Sequence, residues 1–230
     1  MSKFNWSYSK LDGFETCAKR YYNYSAAPYE QRVKDTDTDN IKWGNEVHDA
    51  MRDAIKGGKP LPEYMAPYQP WVDRVLAGPG ELFVEQKYGL TNDLSPCPYF
   101  APNFWYRGIA DVVRIDGPVG LAIDWKTGKP KEGSVQLGLM ALCLFQHYPR
   151  LSVIRTEYVW LNEDPNSPEA TTTKVFRRTE MPEFVAKLLP RVQKLQWAHE
   201  TSTFPPTPGG LCVRYCKVVS CPYHGKGTKI

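Results

Sequence analysis

Leu121-Ala-Ile-Asp-Trp-Lys126 constrains this chain more than any other stretch. It is a strand-like apolar run that carries a carboxylate and an ammonium two residues apart. Side chains two apart on a strand point to one face, so Asp124 and Lys126 project together. A second apolar run, Phe104 to Ile115, precedes it across Asp116-Gly-Pro118, a sequence suited to the turn of a hairpin. That pairing would bring Asp111 towards Asp124. Two carboxylates meeting near one point make a hard-oxygen pocket suited to magnesium or manganese. A lysine beside them would orient an attacking water or stabilise charge on a phosphate. Asp-x-Lys on a solvent-facing strand is common, so the weight falls on its companions.

With 230 residues, 42% hydrophobic and 23% charged, the chain suits one α/β domain over 1–230, in which 204–230 is a cysteine-rich segment. A net charge of +4 permits nucleic-acid binding without demanding it. No run approaches the ~20 apolar residues of a membrane span. Met-Ser-Lys-Phe-Asn-Trp-Ser-Tyr at the N-terminus lacks the apolar core of a secretory signal. A cytoplasmic location and no membrane partner are expected, with the 6 cysteines serving as thiols or metal ligands rather than disulfides.

The periodicity predicts a helix over Ser7–Tyr24 capped by Ser7 or Ser9, and a second from about Ile41 after the capping stretch Asp35–Asn40. Gly57-Gly58 and Pro60 end the second; a third covers Tyr64–Leu76. Strands are expected at 81–88, 104–115, 121–127, 153–161 and 171–178, with a loop at 96–102. Ser134 would cap an almost wholly apolar helix running to about Gln146. A long amphipathic helix follows over Pro182–His199, with Pro190 a candidate kink.

Three more residues join the carboxylates. His48 lies one helical turn after Gly44, a glycine that would let another segment approach closely. Glu85 on the first strand is an additional carboxylate. Gln136 opens an otherwise apolar helix, where a polar side chain needs a partner such as a DNA phosphate or the lysine.

Taken in order, Gly44-x-x-x-His48, Glu85, Gly108-x-x-Asp111, Asp124-x-Lys126-Thr-Gly128 and Gln136 resemble the RecB-like branch of the PD-(D/E)XK nucleases. Ser7-Tyr-Ser-Lys-Leu11 and Phe14-Glu-Thr-Cys-Ala-Lys-Arg-Tyr21 look like that branch's N-terminal signature. The resemblance spans residues from about 7 to 225. It implies a restriction-endonuclease-like core, a central mixed β-sheet flanked by helices, and DNA cleavage with one or two divalent ions. By it, His48, Asp111 and Asp124 would ligate metal, Lys126 would assist catalysis and Gln136 would steady the site. Two positions depart from the family: Met140 stands where tyrosine is frequent, and Ala18 follows Cys17 where proline is frequent.

Cys212, Cys216 and Cys221 cluster just before His224, a dense metal signal. One reading is a zinc site completed by His224. The other brings in Cys17 for a [4Fe–4S] cluster. The iron–sulfur exonucleases of this branch, including those of CRISPR adaptation and of AddB-type helicases, take one cysteine early and three late, which Cys17 and the three late cysteines match. Such a cluster would clasp the two ends of the chain. Cys97 and Cys143 read as a loop thiol and a small apolar residue.

Lys19, Arg20 and Tyr21 form one candidate DNA-binding patch, and Trp105 with Arg107 another. The expected function is a metal-dependent DNA exonuclease acting on ends or single strands in recombination or DNA processing, with a recombination or CRISPR-type protein as a possible partner. The alternatives are a catalytically silent DNA-binding or assembly subunit and a specific endonuclease.

Overall fold

The computed structural model describes residues 4–34, 39–130 and 135–226. Its helices are α1 (Tyr8–Thr16), α2 (Ala18–Tyr21), α3 (Asp39–Gly57), α4 (Gln69–Ala77), α5 (Val135–His147), α6 (Met181–Thr201) and α7 (Leu211–Arg214). Its strands are β1 (Glu81–Leu90), β2 (Pro96–Cys97), β3 (Tyr106–Asp116), β4 (Val119–Lys126), β5 (Val153–Trp160) and β6 (Thr171–Arg177). The chain forms two compact units, Asp37–Phe184 and Met1–Thr36 with Val185–Ile230. The second buries side chains of its own, among them Trp6, Leu11, Leu195 and Val218.

In the larger unit the strands make one sheet in the order β2-β1-β3-β4-β5-β6. Only β4 and β5 run parallel, and every other neighbouring pair is antiparallel. A parallel step needs a crossover, which the apolar helix α5 supplies. Alternation along the strands sorts the two faces. Val112, Ile123, Trp125 and Val159 pack with Val47, Met51, Trp71 and Val75 from α3 and α4. Asp124 and Tyr158, which intervene, are bonded instead to Gln136 on α5. The result is a mixed α/β fold, a mostly antiparallel sheet flanked by helices. Met51 is fully buried, and truncating it to alanine would cost ~2–5 kcal/mol. At Gly138 of α5 a Cβ would sit 2.2 Å from the Phe184 ring, so that glycine is required by close packing.

Several expected elements differ. The helix over Ser7–Tyr24 is interrupted at Cys17, which is extended with φ of −166° and takes the thiol out of helical register. Ser7 caps α1 by accepting from the Lys10 N–H at 3.4 Å. The third helix starts as a tight 3-10 segment over Glu63–Tyr68 and becomes α-helical at Gln69, because Pro67 and Pro70 supply no N–H and Pro70 is tolerated only in a first turn. Within the stretch expected as a loop, Pro96–Cys97 adds a short strand to the end of β1. Pro190 does not end α6. Asp35–Thr38 and Ser134, expected as caps, lie outside the described residues.

Candidate active site

The junction of β3 and β4 holds the carboxylates. Paired register runs from Asp116↔Val119 to Val112↔Ile123, and the next two residues are Asp111 and Asp124. There the Trp125 N–H donates at 2.8 Å to Asp111 Oδ2, so a side chain takes the acceptor position of the ladder. On β1 the register passes from Val84↔Val112 to Gln86↔Ala110 and omits Glu85, the residue opposite Asp111. Glu85 has φ of 52°, a left-handed conformation that costs a non-glycine residue ~1–3 kcal/mol. Both neighbours of the Asp111 level are therefore irregular.

Asp124 is 6% exposed. Its Oδ1 accepts from Gln136 Nε2 at 2.8 Å. Its Oδ2 is paired with the Lys126 ammonium, Nζ standing at 2.5 Å. Lys126 also donates to Gln136 Oε1 at 3.3 Å, and the Tyr158 hydroxyl donates to the same oxygen at 3.0 Å. The ammonium sits 4.8 Å from the centre of the Tyr158 ring. Burial raises the Asp124 carboxyl to about 6, with Lys126 opposing the shift and Asp111 reinforcing it.

His48 reaches the junction from α3. Its Nδ1 is 3.1 Å from Asp111 Oδ1 and its Nε2 is 3.1 Å from the Trp125 carbonyl oxygen. Two acceptors on one ring are satisfied together only by an imidazolium, which has two N–H donors. Burial pulls the His48 pKa down, but its hydrogen bond to Asp111 and the charges of Asp111 and Asp124 prevail, and the net shift is upward. A Cβ on Gly44 would lie 3.5 Å from Thr127 Oγ1, an ordinary contact, so crowding does not demand the glycine expected there for close approach.

The structure thus joins His48, Asp111, Asp124, Lys126 and Gln136. Among the described residues no hydrogen bond or ion pair links Glu85 to them: its carboxylate lies 3.6 Å from Arg52, one turn beyond His48 on α3. Tyr158 was not foreseen. Its place follows from the parallel register Asp124↔Tyr158 across the α5 crossover, a long-range pairing without a local sequence signal. Two aspartates with an imidazole are a donor set that suits magnesium or manganese. Among the described residues, no three His, Cys, Asp or Glu side chains are already grouped as a metal shell.

In the smaller unit Cys17, Cys212, Cys216 and Arg20 line a cavity of about 280 Å³. The Thr207 N–H donates to Cys17 Sγ at 3.4 Å. Gly225 N–H donates to the Cys212 carbonyl at 2.9 Å, which returns the turn carrying Cys221 and His224 to α7. Cys221 and His224 are outside the lining of the cavity. Arg20 places its guanidinium 4.7 Å from the centre of the Tyr24 ring, and its buried Nε has no hydrogen-bond partner. Burial raises the pKa of Cys97 and of Cys143, as expected of unreactive thiols.

Tyr21 is a correction among the candidate DNA contacts. It is 4% exposed, its hydroxyl is bonded to His199 Nε2 at 2.8 Å and its ring packs edge-on against Phe14 and His199. Tyr21 neighbours Lys19 and Arg20 in sequence, but residues one and two apart on a helix face different ways, and its side is turned into the core, which leaves no face for a base. Trp105 is half-buried, whereas the Arg107 guanidinium lies over the rings of Tyr99 and Phe104.

Among the described residues no helix is long and apolar enough to cross a membrane. No family model matches the chain, and no curated relative does. Among solved structures it is similar to the crystal structure of SSO0001, at 13% identity and a TM-score of 0.42, with 97% of this chain and 89% of that chain covered.

Proposed function

We propose that the chain is a divalent-metal-dependent deoxyribonuclease of the PD-(D/E)XK type, an exonuclease acting on DNA ends or single strands in recombination or DNA processing. The observation that carries the reading is the parted β3–β4 junction, where a buried carboxylate, a second carboxylate, an imidazole and a fixed lysine converge. Asp111 and Asp124 would hold magnesium or manganese, and His48 would join them as the neutral imidazole, giving up one of its two ring protons on binding. Such an ion supplies Lewis-acid chemistry, acidifying water and neutralising charge on the scissile phosphate. Lys126 is held by Asp124, Gln136 and the Tyr158 ring, so its ammonium is positioned in advance to orient water or to meet phosphate charge. Gln136 couples the lysine to Asp124, and Tyr158 fixes the glutamine.

Cys17, Cys212, Cys216 and Cys221 would hold a [4Fe–4S] cluster; zinc bound with His224 is the rival ligation. Either group would tie the N- and C-terminal segments of the smaller unit together. The test of the activity is label release from end-labelled linear DNA with manganese, beside nicking of closed circular DNA. Release from linear DNA alone, absent in Asp124→Asn, is the expected result. Cutting of circles would make the protein an endonuclease. Absence of cutting by protein that binds DNA equally well as Asp124→Asn would make it a binding subunit.

A further inference from the structure

The larger unit carries a set of rings and cations, with Lys87 and Phe100 exposed and Tyr99, Phe104 and Arg107 half-buried, on β1, β3 and the connection that leads into β3. Lys87 on β1 and Arg107 on β3 are near neighbours in the register Lys87↔Ile109 and Gly89↔Arg107. The connection from β2 to β3 sets rings beside both. Lys87 Nζ is 5.9 Å from the centre of the Tyr99 ring and 6.0 Å from that of Phe100. The Arg107 guanidinium is 5.0 Å from Tyr99 and 4.8 Å from Phe104. Tyr99 and Phe100 meet edge to face at 4.9 Å, and Phe100 is 77% exposed. A phenylalanine left in water beside the Lys87 ammonium forgoes apolar burial that a core position would provide. Along β3, Arg107, Ile109 and Asp111 alternate with the buried Tyr106 and Ala110, so they share one side of the strand. At ~3.3 Å per residue, Arg107 stands ~13 Å from Asp111.

We propose that Lys87, Tyr99, Phe100 and Arg107 form a platform that binds single-stranded polynucleotide ahead of the Asp111–Asp124 junction. The rings stack on unpaired bases, which every base allows, and the two cations meet phosphates. A duplex keeps its bases stacked inside and offers them no face. The path towards Asp111 rests on the nuclease reading; the binding itself does not.

The test is fluorescence anisotropy of a labelled oligothymidylate in EDTA, where no strand is cut. Phe100→Ala is expected to weaken binding about tenfold, within the range for one base–aromatic stack, and Phe100→Trp to restore it. Lys87→Ala with Arg107→Ala should lower the slope of log affinity against log salt by roughly 1.4, for two phosphate contacts on a single strand. Tyr29→Ala removes a ring that is 78% exposed in the smaller unit and should leave affinity unchanged. Equal affinity in Phe100→Ala, an equal loss in Tyr29→Ala, or no binding by the unaltered protein would overturn the platform. Weakened binding in Phe100→Ala by a protein that never cuts DNA would keep the platform and remove the nuclease. Cleavage that needs Lys126 with binding indifferent to Phe100 would do the reverse.

Discussion

The two units hold their candidate chemistry by different means. In the larger, Asp124 and Tyr158 are fixed opposite each other by the β4–β5 register, Asp111 stands just past the last β3–β4 pair and is held by His48 and the Trp125 N–H, and Lys126 is locked by three neighbours. In the smaller, the cysteines stand at a helix break, on the four-residue helix α7 and on turns. A sheet gives a site its geometry without any ligand, whereas turns derive theirs from whatever they bind. Substitutions in the first site should therefore remove chemistry and spare the fold, and substitutions in the second should do the opposite.

The largest effect is expected for Lys126→Ala. Loss of a positioned charge donor of this kind costs about 10²- to 10³-fold, so the single-turnover cleavage rate should fall by that much while the unfolding midpoint is unchanged. A fall in the midpoint as large as that of a core truncation would show that the lysine holds the sheet together. Cys17→Ala should next lower the thermal stability of the smaller unit and abolish its iron content and visible absorbance. If zinc replaces iron in the unaltered protein, His224→Ala becomes the sensitive variant and Cys17→Ala the silent one.

That contrast also separates what the sequence disclosed. Asp124 and Lys126 could be placed on one face because alternation along a strand is local, and Asp111 because a short turn joins its strand to theirs. Tyr158 could not, since its contact needs a parallel pairing across a whole helix. Glu85 was legible as a carboxylate but not as a left-handed residue held by Arg52. Tyr21 was misplaced because a basic neighbourhood in sequence says nothing about which side of a short helix is buried. The order of the sheet, its two-residue edge strand and the division into units also come from long-range packing, which periodicity does not contain.

Tyr158→Phe gives a smaller and sharper result. The ring under Lys126 remains while the hydroxyl that holds Gln136 is lost, and one such hydrogen bond contributes ~1 kcal/mol. The cleavage rate should fall about fivefold with little change in substrate affinity. An unchanged rate would remove Tyr158 from the site.

The smallest effect is one of pH, opposite in sign for the two units. His199 has its pKa lowered by burial, so its contribution is present above 6.5 and is lost as pH falls through its depressed value. Asp124 and His48 have raised pKa values. Without divalent ions the Asp124 contribution is full below 3.8 and is lost as pH climbs through about 6. Amide exchange in EDTA, corrected for intrinsic rates, should show the smaller unit gaining protection between about pH 5 and about pH 7 while the larger loses it. Parallel changes would mean that these groups do not govern either unit.

The central claim is that the parted junction is a hard-cation site. Manganese titration followed by the paramagnetic resonance of the free ion tests it most directly. The unaltered protein should remove the free-ion signal to a defined stoichiometry, and Asp111→Asn or Asp124→Asn should leave that signal in place. Equal uptake by all three proteins, or none by the unaltered one, would contradict the account.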